Sequence, residues 1–431
     1  MKFFSSLLLA APLATALLLD RNGKVVYDGY KVFRVPAPED NGVEAFDAQI
    51  ADLEGLEISH NGEHFDVAIP PASLDAFGAL NLDAQVLTED LGALIASEGE
   101  VEEYEGATMR LSSEDGEMST AALPSLSWFN AYHSYDNHLT FLRDLQGAFS
   151  ANSEIITAGN SFEGRPITGI HLWGSGGKGS KPAVYFHGNV HAREWITSKT
   201  VEYLTYQLVV NYNNDTAVKA VLDKYDFYMF PIVNPDGFVY TQTTNRLWRK
   251  NRQTRSGTSA VGTDVNRNWP YQWSGSGSST SPSSETYRGA AAGDTPENTG
   301  IRKFGDTLAA GKGIKLYIDW HSYGQYILLP YGFSCSARPS NFAAQQSLAT
   351  AVASQIRSVF SKSFTAGGTC TTLYATNGGS NDYMQDVAKT EYAWAVELRD
   401  EGTYGFSLPA NQILPSGQEQ WKGMMYLWQN M

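Results

Sequence analysis

The chain has 431 residues, of which 42% are hydrophobic, 12% aromatic and 18% charged. That balance supports a large buried core and excludes a disordered or coiled-coil chain, while the length allows two or three domains. A formal net charge of −15 disfavours nucleic acid and anionic membrane as partners, and two cysteines cannot build a disulfide-rich scaffold or a four-thiolate zinc site.

Residues 1–16 read as a secretory signal peptide. Lys2 is the positive start, Phe3 to Leu13 is largely apolar, and Ala14-Thr15-Ala16 offers small residues for cleavage. The apolar run is too short to span about 30 Å of hydrocarbon, so a secreted, extracellular protein without a membrane anchor is expected. From Leu17 to Ser112 there are 20 acids against 5 bases, which places the whole charge imbalance in this segment. The segment carries the signals of a small α+β domain. Val25 to Val35 is strand-like, and Asn41 with Glu44 forms a capping-box pattern around Val43, Phe46, Ile50 and Leu53 at helical spacing. His64 to Ile69 alternates as a strand does, and Ser73 precedes a second short helix. Ser112-Ser113-Glu114-Asp115-Gly116 then follows, a polar linker of the kind proteases cut.

Residues 113–431 change pattern to strands alternating with helices. Ala183–Phe186, Phe227–Val233, Leu316–Ile318 and Tyr392–Val396 are short apolar runs; Val201 to Val210 carries Val201, Leu204 and Leu208 on one helical face, and Ala343 to Phe360 is a further amphipathic helix. The expectation is an α/β domain with a mixed, largely parallel sheet flanked by helices, whose ligands bind beyond the carboxyl ends of the strands. Trp273 to Ser284 reads as a Ser/Gly-rich surface loop. Gly174, Gly176 and Gly179 match a dinucleotide fingerprint, but Ser180-Lys181-Pro182 leads into another strand instead of a helix, so a hairpin loop is predicted there.

Of the eight histidines, His60, His64, His133, His138 and His171 lie on patterned polar stretches and default to surface or satisfied core. His187-Gly-Asn-Val-His191-Ala-Arg-Glu194 differs, because it follows an apolar strand and opens a helix. His191 and Glu194 are three apart and can converge on one ion at a helix start, and a His₂Glu set suits zinc with an open fourth position. His187 is an alternative ligand by spacing, at the strand end. His321 is the natural third ligand, at the end of the Lys315 to Asp319 run. Glu397 lies in apolar sequence, where a carboxylate is either functional or paired, with Arg399 as the structural partner. Arg246, Arg249, Lys250 and Arg267 follow strand-like segments and suit specific carboxylate binding.

The ordered motifs His191-Ala-Arg-Glu194-Trp-Ile, Asn234-Pro-Asp-Gly237, Asn245-Arg-Leu-Trp-Arg249-Lys, Asp264-Val-Asn266-Arg267-Asn-Trp269, Ser284-Glu-Thr-Tyr287, His321-Ser-Tyr323 and Glu397-Leu-Arg-Asp400 resemble the zinc carboxypeptidase A family. The likeness runs from about residue 120 to the C-terminus, and Tyr27 to Val35 resembles the start of that family's activation segment. The short leader and overall pattern suggest a fungal member.

The resemblance implies one zinc ion per chain held by His191, Glu194 and His321. It makes Glu397 the general base and Arg249 the electrophilic group beside the scissile carbonyl. Asn266, Arg267 and Tyr374 would hold the substrate's terminal carboxylate, and Arg193, Ser322 and Tyr323 would contact substrate. It implies a zymogen, inhibited by its own propeptide (17–112), opened by an activating protease and acting on peptide and protein C-termini. The acids of 17–112 are expected to meet bases around the cleft such as Arg193 and Arg249. A catalytically inactive peptide-binding relative and a zinc amidase on acyl-amino acids are the alternatives.

In the family the residue after Gly-Gly-Ser floors the pocket for the terminal side chain, and members that take basic residues carry Asp there. Asn381 holds that position, so apolar or aromatic C-terminal residues are expected to be preferred; Asp382, next along, does not discriminate. Tyr374 lies in a Gly-rich, mobile-looking stretch. Family members with a disulfide just before the Asp264 motif differ from this chain, which has no Cys from Arg252 to Thr263. Cys335 and Cys370 are expected to bridge outside the cell, adding about 3–4 kcal/mol in the chain-entropy picture. Asn214-Asp215-Thr216 is a glycosylation sequon.

Overall fold

A computed structural model describes residues 19–37, 43–60, 63–107 and 123–431. The expected signal peptide, the Asn41 capping box and the Ser112–Gly116 linker lie outside the described residues.

The N-terminal unit is the predicted small α+β fold. It runs β1 (Lys31–Pro36), α1 (Val43–Asp52), β2 (Leu56–His60), β3 (His64–Ile69), α2 (Leu74–Gly78), β4 (Gln85–Thr88) and α3 (Leu91–Ser97). Helix α3 was not anticipated; Asp90 caps it, its carboxylate accepting from Ala93 N at 3.0 Å. The four strands form an antiparallel sheet in the order β2-β3-β1-β4. Strand alternation sorts the side chains. Val35, Phe65, Val67 and Ile69 face a core with Phe46, Ile50 and Phe77 of the helices. The opposite face carries Val32, Ile58 and Ala68, which pack with Tyr27, Tyr30 and Leu91 onto Leu247 and Phe406 of the larger domain. The two units are joined further by a short parallel pair, β5 (Val101–Glu102) with β6 (Tyr132–His133).

The larger domain continues α4 (Tyr135–Ala148), β7 (Ser153–Asn160), β8 (Pro166–Leu172), β9 (Ala183–Gly188), α5 (Trp195–Asn211), α6 (Thr216–Lys224), β10 (Asp226–Phe230) and α7 (Pro235–Thr243). Then come α8 (Pro296–Ala310), β11 (Ile314–His321), β12 (Tyr326–Leu329), α9 (Phe342–Phe360), β13 (Thr365–Gly368), α10 (Thr369–Thr372), α11 (Ser380–Asp386), β14 (Tyr392–Glu397) and α12 (Ile413–Asn430). Eight strands form one sheet, β13-β12-β14-β11-β9-β10-β8-β7. The centre, β14-β11-β9-β10, is parallel, and antiparallel pairs enter on both flanks. The sheet is therefore mixed, with its parallel part where both faces are buried.

Alternation again divides the core. Val184, Phe186, Leu316, Ile318, Trp320, Trp394 and Val396 face the α5, α9 and α12 side. Tyr185, Tyr317 and Ala393 face the α8 and α11 side with Trp269, Ile301, Tyr383 and Met384. Asp319, His321 and Glu397 share the parity of this second face.

Two local expectations are corrected. The Gly174–Gly179 loop does not close a hairpin, because β8 and β9 are separated by β10, which fills the space between them later in the chain. Helix α5 is buried nearly all round, not on one stripe: Lys199 donates to Trp128 O at 3.0 Å, and Glu202 accepts from Trp128 Nε1 at 2.8 Å. The predicted disulfide Cys335–Cys370 is formed.

Candidate metal centre and cleft

The parallel register sets the site. His321 ends β11 opposite Glu397 at the end of β14, and β9 ends one strand over, leading into the turn that carries His191 and Glu194. Those two residues lie in that turn, before the helix, with Glu194 at the N-cap of α5. Asn189, at φ 54°, shapes the turn: its amide nitrogen faces the carbonyls of His191, Ala192 and Glu194 at 3.3–3.4 Å, and its N–H donates to Thr197 Oγ1 at 2.8 Å.

His191, Glu194 and His321 are all buried and meet at one point. His191 Nδ1 is 2.8 Å from Glu194 Oε1 and 3.1 Å from His321 Nδ1, which is 3.2 Å from Glu194 Oε2. Behind them, His191 Nε2 faces Asp264 Oδ1 at 3.2 Å and His321 Nε2 faces Asp319 Oδ2 at 3.0 Å. A carboxylate behind each ring holds its proton on Nε2, so both Nδ1 lone pairs point at the common centre. Ligands about 2.0–2.2 Å from one zinc ion stand about 3.3 Å apart, so the donor set and its spacing fit zinc. The Glu194 carboxyl lies low, at about 2: burial pushes it up, and the His191 and His321 rings outweigh burial.

His187, the alternative ligand, is not part of the cluster. It is fully buried one strand away, with Nε2 2.5 Å from the Tyr317 hydroxyl. Glu397 does not pair with Arg399, whose Nε donates instead to Glu419 at 2.9 Å. Glu397 lines the cleft, where burial raises its carboxyl to about 8; His321 and Arg249 pull it down and Glu194 pushes it up.

The cleft, about 280 Å³, gathers Arg193, Arg249, Asn266, Arg267, Ser322, Tyr323, Tyr374 and Asn381 around the cluster. Arg249 is held by Asp264 at 2.9 and 3.1 Å, and its Nη1 is 3.9 Å from Glu194. Arg267 donates to Gly277 O in the predicted surface loop at 2.6 Å and to the Tyr374 hydroxyl at 3.3 Å. Asn266 Oδ1 accepts from Ser380 N at 2.8 Å, and Ser322 N donates to Glu194 at 3.3 Å. The glycines near Tyr374 allow close approach: at Gly378, φ 72°, a Cβ would stand 2.4 Å from Arg267 O. Asn381 donates to Thr369 Oγ1 at 3.0 Å, whereas Asp382 turns away and accepts from Gly332 N and Phe333 N at 2.9–3.0 Å.

The N-terminal unit roofs this cleft with Arg34, Glu57, Ile58, His60, His64 and Asp66 among its lining residues. Arg193 Nη2 donates to Ile58 O at 3.0 Å, Tyr323 donates to Asp66 at 2.9 Å, and the His60 ring lies 3.9 Å from that of Tyr374. Arg193 is therefore met by carbonyls of Ile58 in the N-terminal unit and Leu247 in the larger domain, with Glu285 at 3.5 Å, and Arg249 by the larger domain's own carboxylates. Across the seam the buried ion pair is Glu98 with Arg246, whose Nε donates at 2.6 Å. Sequence reasoning gave no role to His60, His64, Asp319 or Thr369. Asp319 was findable, two residues before His321 on one strand face.

The zinc carboxypeptidase (Peptidase_M14) family model matches residues 138–423. The chain is 47% identical over 406 residues to the metallocarboxypeptidase A-like protein of Trichophyton verrucosum, with 92% of each chain covered. It is 43% identical over 422 residues to metallocarboxypeptidase A of Trichophyton rubrum, covering 96% of each, and 33% identical over 367 residues to carboxypeptidase A2 of Rattus norvegicus, covering 84% and 83%. The solved carboxypeptidase A of Helicoverpa armigera superposes with a TM-score of 0.77 at 28% identity, covering 93% of this chain and 97% of that one. Thrombin activatable fibrinolysis inhibitor superposes with a TM-score of 0.80 at 25% identity, covering 94% and 98%. Motif order, strand-end geometry and these likenesses agree with the fungal resemblance read from the sequence, and the chain belongs to the zinc carboxypeptidase family as a metallocarboxypeptidase.

Proposed function

We propose that the protein is a secreted zymogen with a signal peptide at 1–16, an inhibitory prosegment at 17–112 and a catalytic domain at 113–431. Once cut by an activating protease, it removes single C-terminal residues from peptides and proteins, preferring apolar or aromatic ones. The observation that carries this reading is the N-terminal unit seated on the cleft, with Ile58 O on Arg193 and Asp66 on Tyr323. No helix among the described residues is long and apolar enough to cross a membrane. Asn214 is exposed in the turn between α5 and α6, a position open to a glycan.

His191, Glu194 and His321 would hold the zinc. When bound, zinc supplies Lewis acidity, lowering the pKa of a coordinated water to about 7 and polarising the scissile carbonyl. Glu397 takes the proton from the attacking water and returns it to the leaving amine, a task suited to a carboxyl held near neutrality by burial. Arg249, kept cationic by Asp264, offsets charge developing on the carbonyl oxygen. Asn266, Arg267 and Tyr374 clamp the terminal carboxylate, which an internal peptide bond lacks. Asn381 floors the side-chain pocket without a charge to balance Lys or Arg.

The test is a matched pair of peptides, one with a free C-terminus and one amidated, given to the intact and the processed protein with zinc. We expect the processed form to cleave the free acid at least a hundredfold faster than the amide, and the intact chain to be slow on both. Equal rates on acid and amide would remove the carboxylate clamp, and equal rates for intact and processed protein would remove the inhibitory prosegment.

A further inference from the structure

His187 is fully buried and takes no part in binding substrate or metal, yet it lies on the sheet face that carries His321. Parallel register sets it beside Asp319. Its Nδ1 is 3.2 Å from Asp319 Oδ1, close enough for charge attraction though off the line of a good hydrogen bond. Its Nε2 meets the Tyr317 hydroxyl at 2.5 Å. A tyrosine hydroxyl donating to Nε2 fixes the ring proton on Nδ1, facing the carboxylate. The other oxygen of Asp319 accepts from Ser380 Oγ at 2.6 Å and faces His321 Nε2 at 3.0 Å.

Asp319 is fully buried, and among the described residues these three neighbours position its carboxylate. The carboxylate in turn decides which nitrogen of His321 carries the proton and how the ring is aimed. Ser380 opens α11, so the same carboxylate also ties the metal ligand to the helix bearing Asn381.

We propose that His187 is a positioning residue for the metal centre, acting through Asp319 on His321. The inference rests on the reading of His191, Glu194 and His321 as a zinc site. Its consequence is a loss of metal affinity when the Nδ1 donor is removed, of the size seen when partners behind a ligand are deleted, about 10–100-fold.

The experiment uses the intact chain, stripped of metal and titrated with Zn2+ against a fluorescent chelator, then with Co2+ to read the visible absorption band. Three variants divide the roles. His187→Leu removes both ring nitrogens; His187→Gln keeps volume and reach toward Tyr317 but not the donor at Nδ1; His187→Asn keeps a donor at the Nδ1 position. We expect His187→Leu and His187→Gln to bind Zn2+ at least tenfold more weakly, with a shifted Co2+ band, and His187→Asn to stay within threefold of the unmodified chain. Melting temperatures of the metal-free forms separate folding from binding, and where His187→Leu does not fold, His187→Gln decides. A folded His187→Gln within threefold of the unmodified chain overturns the proposal, and so does a His187→Asn as weak as His187→Gln, because packing alone would then be responsible. An unmodified chain that takes up no Zn2+ would instead sink the zinc reading itself.

Discussion

Two sets of buried charge organise this protein, and they are built differently. At the floor of the cleft, two imidazole nitrogens and a carboxylate face one another at 2.8–3.2 Å, with Asp264 and Asp319 behind the rings. At the seam between the two units, Glu98 grips Arg246 across the boundary, while Asp66 holds Arg34 of its own unit through two hydrogen bonds of 2.7 and 2.8 Å and accepts from Tyr323 of the larger domain at 2.9 Å. Donor atoms aimed at a common point call for a cation to complete them. These carboxylates are satisfied already, and Glu98 on Arg246 and Asp66 on Tyr323 bind one unit to the other without any ligand. The contrast teaches that the acid-rich N-terminal unit does not hold on by its net charge. It uses two buried carboxylates, a backbone carbonyl and an apolar sheet face, leaving most of its acids to water.

The comparison breaks most sharply at Glu397, the carboxyl beside the metal cluster that is not part of it. Glu397→Gln should keep stoichiometric zinc while turnover falls by several orders of magnitude, measured as kcat on a small peptide beside metal content. Retention of a tenth of the activity would take the general-base role away from it.

The seam is tested next by Glu98→Ala, which strands the Arg246 guanidinium. Losing one member of a buried pair costs about 3–5 kcal/mol. The intact variant should melt earlier and hydrolyse a small substrate at least tenfold faster before any cleavage. Unchanged melting and basal rate would assign the seam to its apolar face alone.

A smaller effect is expected at His133, whose Nδ1 meets Glu102 O of the N-terminal unit at 2.7 Å. Burial, aided by Lys199, lowers this ring to about 3 despite the two carbonyls facing it. A depressed histidine contributes stability that is complete above about pH 6.5 and is lost as pH falls toward the folded value, by at most about 1.4 kcal/mol per unit. Denaturant unfolding at pH 7 and pH 5 should show a steeper loss for the unmodified chain than for His133→Phe. Parallel pH profiles would contradict it.

The finest distinction lies in the pocket. With Asn381 tied to Thr369 and Asp382 turned to the Gly332 and Phe333 amides, kcat/KM for peptides ending in Phe or Leu should exceed that for Arg by at least tenfold. A preference for Arg would mean that another acid reaches the pocket.

Much of the site was legible because it follows strand ends. Apolar runs marked β9, β11 and β14; His321 and Glu397 terminate two of them, and His191 follows the third in the turn beyond it. The order of motifs supplied the rest of the cleft's membership. Less legible were partnerships between residues far apart in sequence. Arg399 looked like the neighbour of Glu397, yet β14 ends at Glu397, and Arg399, beyond the strand, meets Glu419 on α12. His60 and His64 looked like ordinary polar residues, and only docking of the N-terminal sheet sets them in the cleft.

The sequence by itself determined the alternation of strands and helices, the acid-rich N-terminal segment, and the residue types from which a zinc site can be made. These depend on local periodicity, composition and spacing, which a chain carries before it folds. Only the tertiary structure decided that His187 stands behind the metal cluster rather than in it, that β10 separates β8 from β9, and that Arg246 is held by Glu98 while Arg193 meets a backbone carbonyl. Each of those outcomes depends on which strands become neighbours and which faces close on one another. Sheet order and docking are set by burial summed over the whole core, and no short stretch of sequence contains that sum.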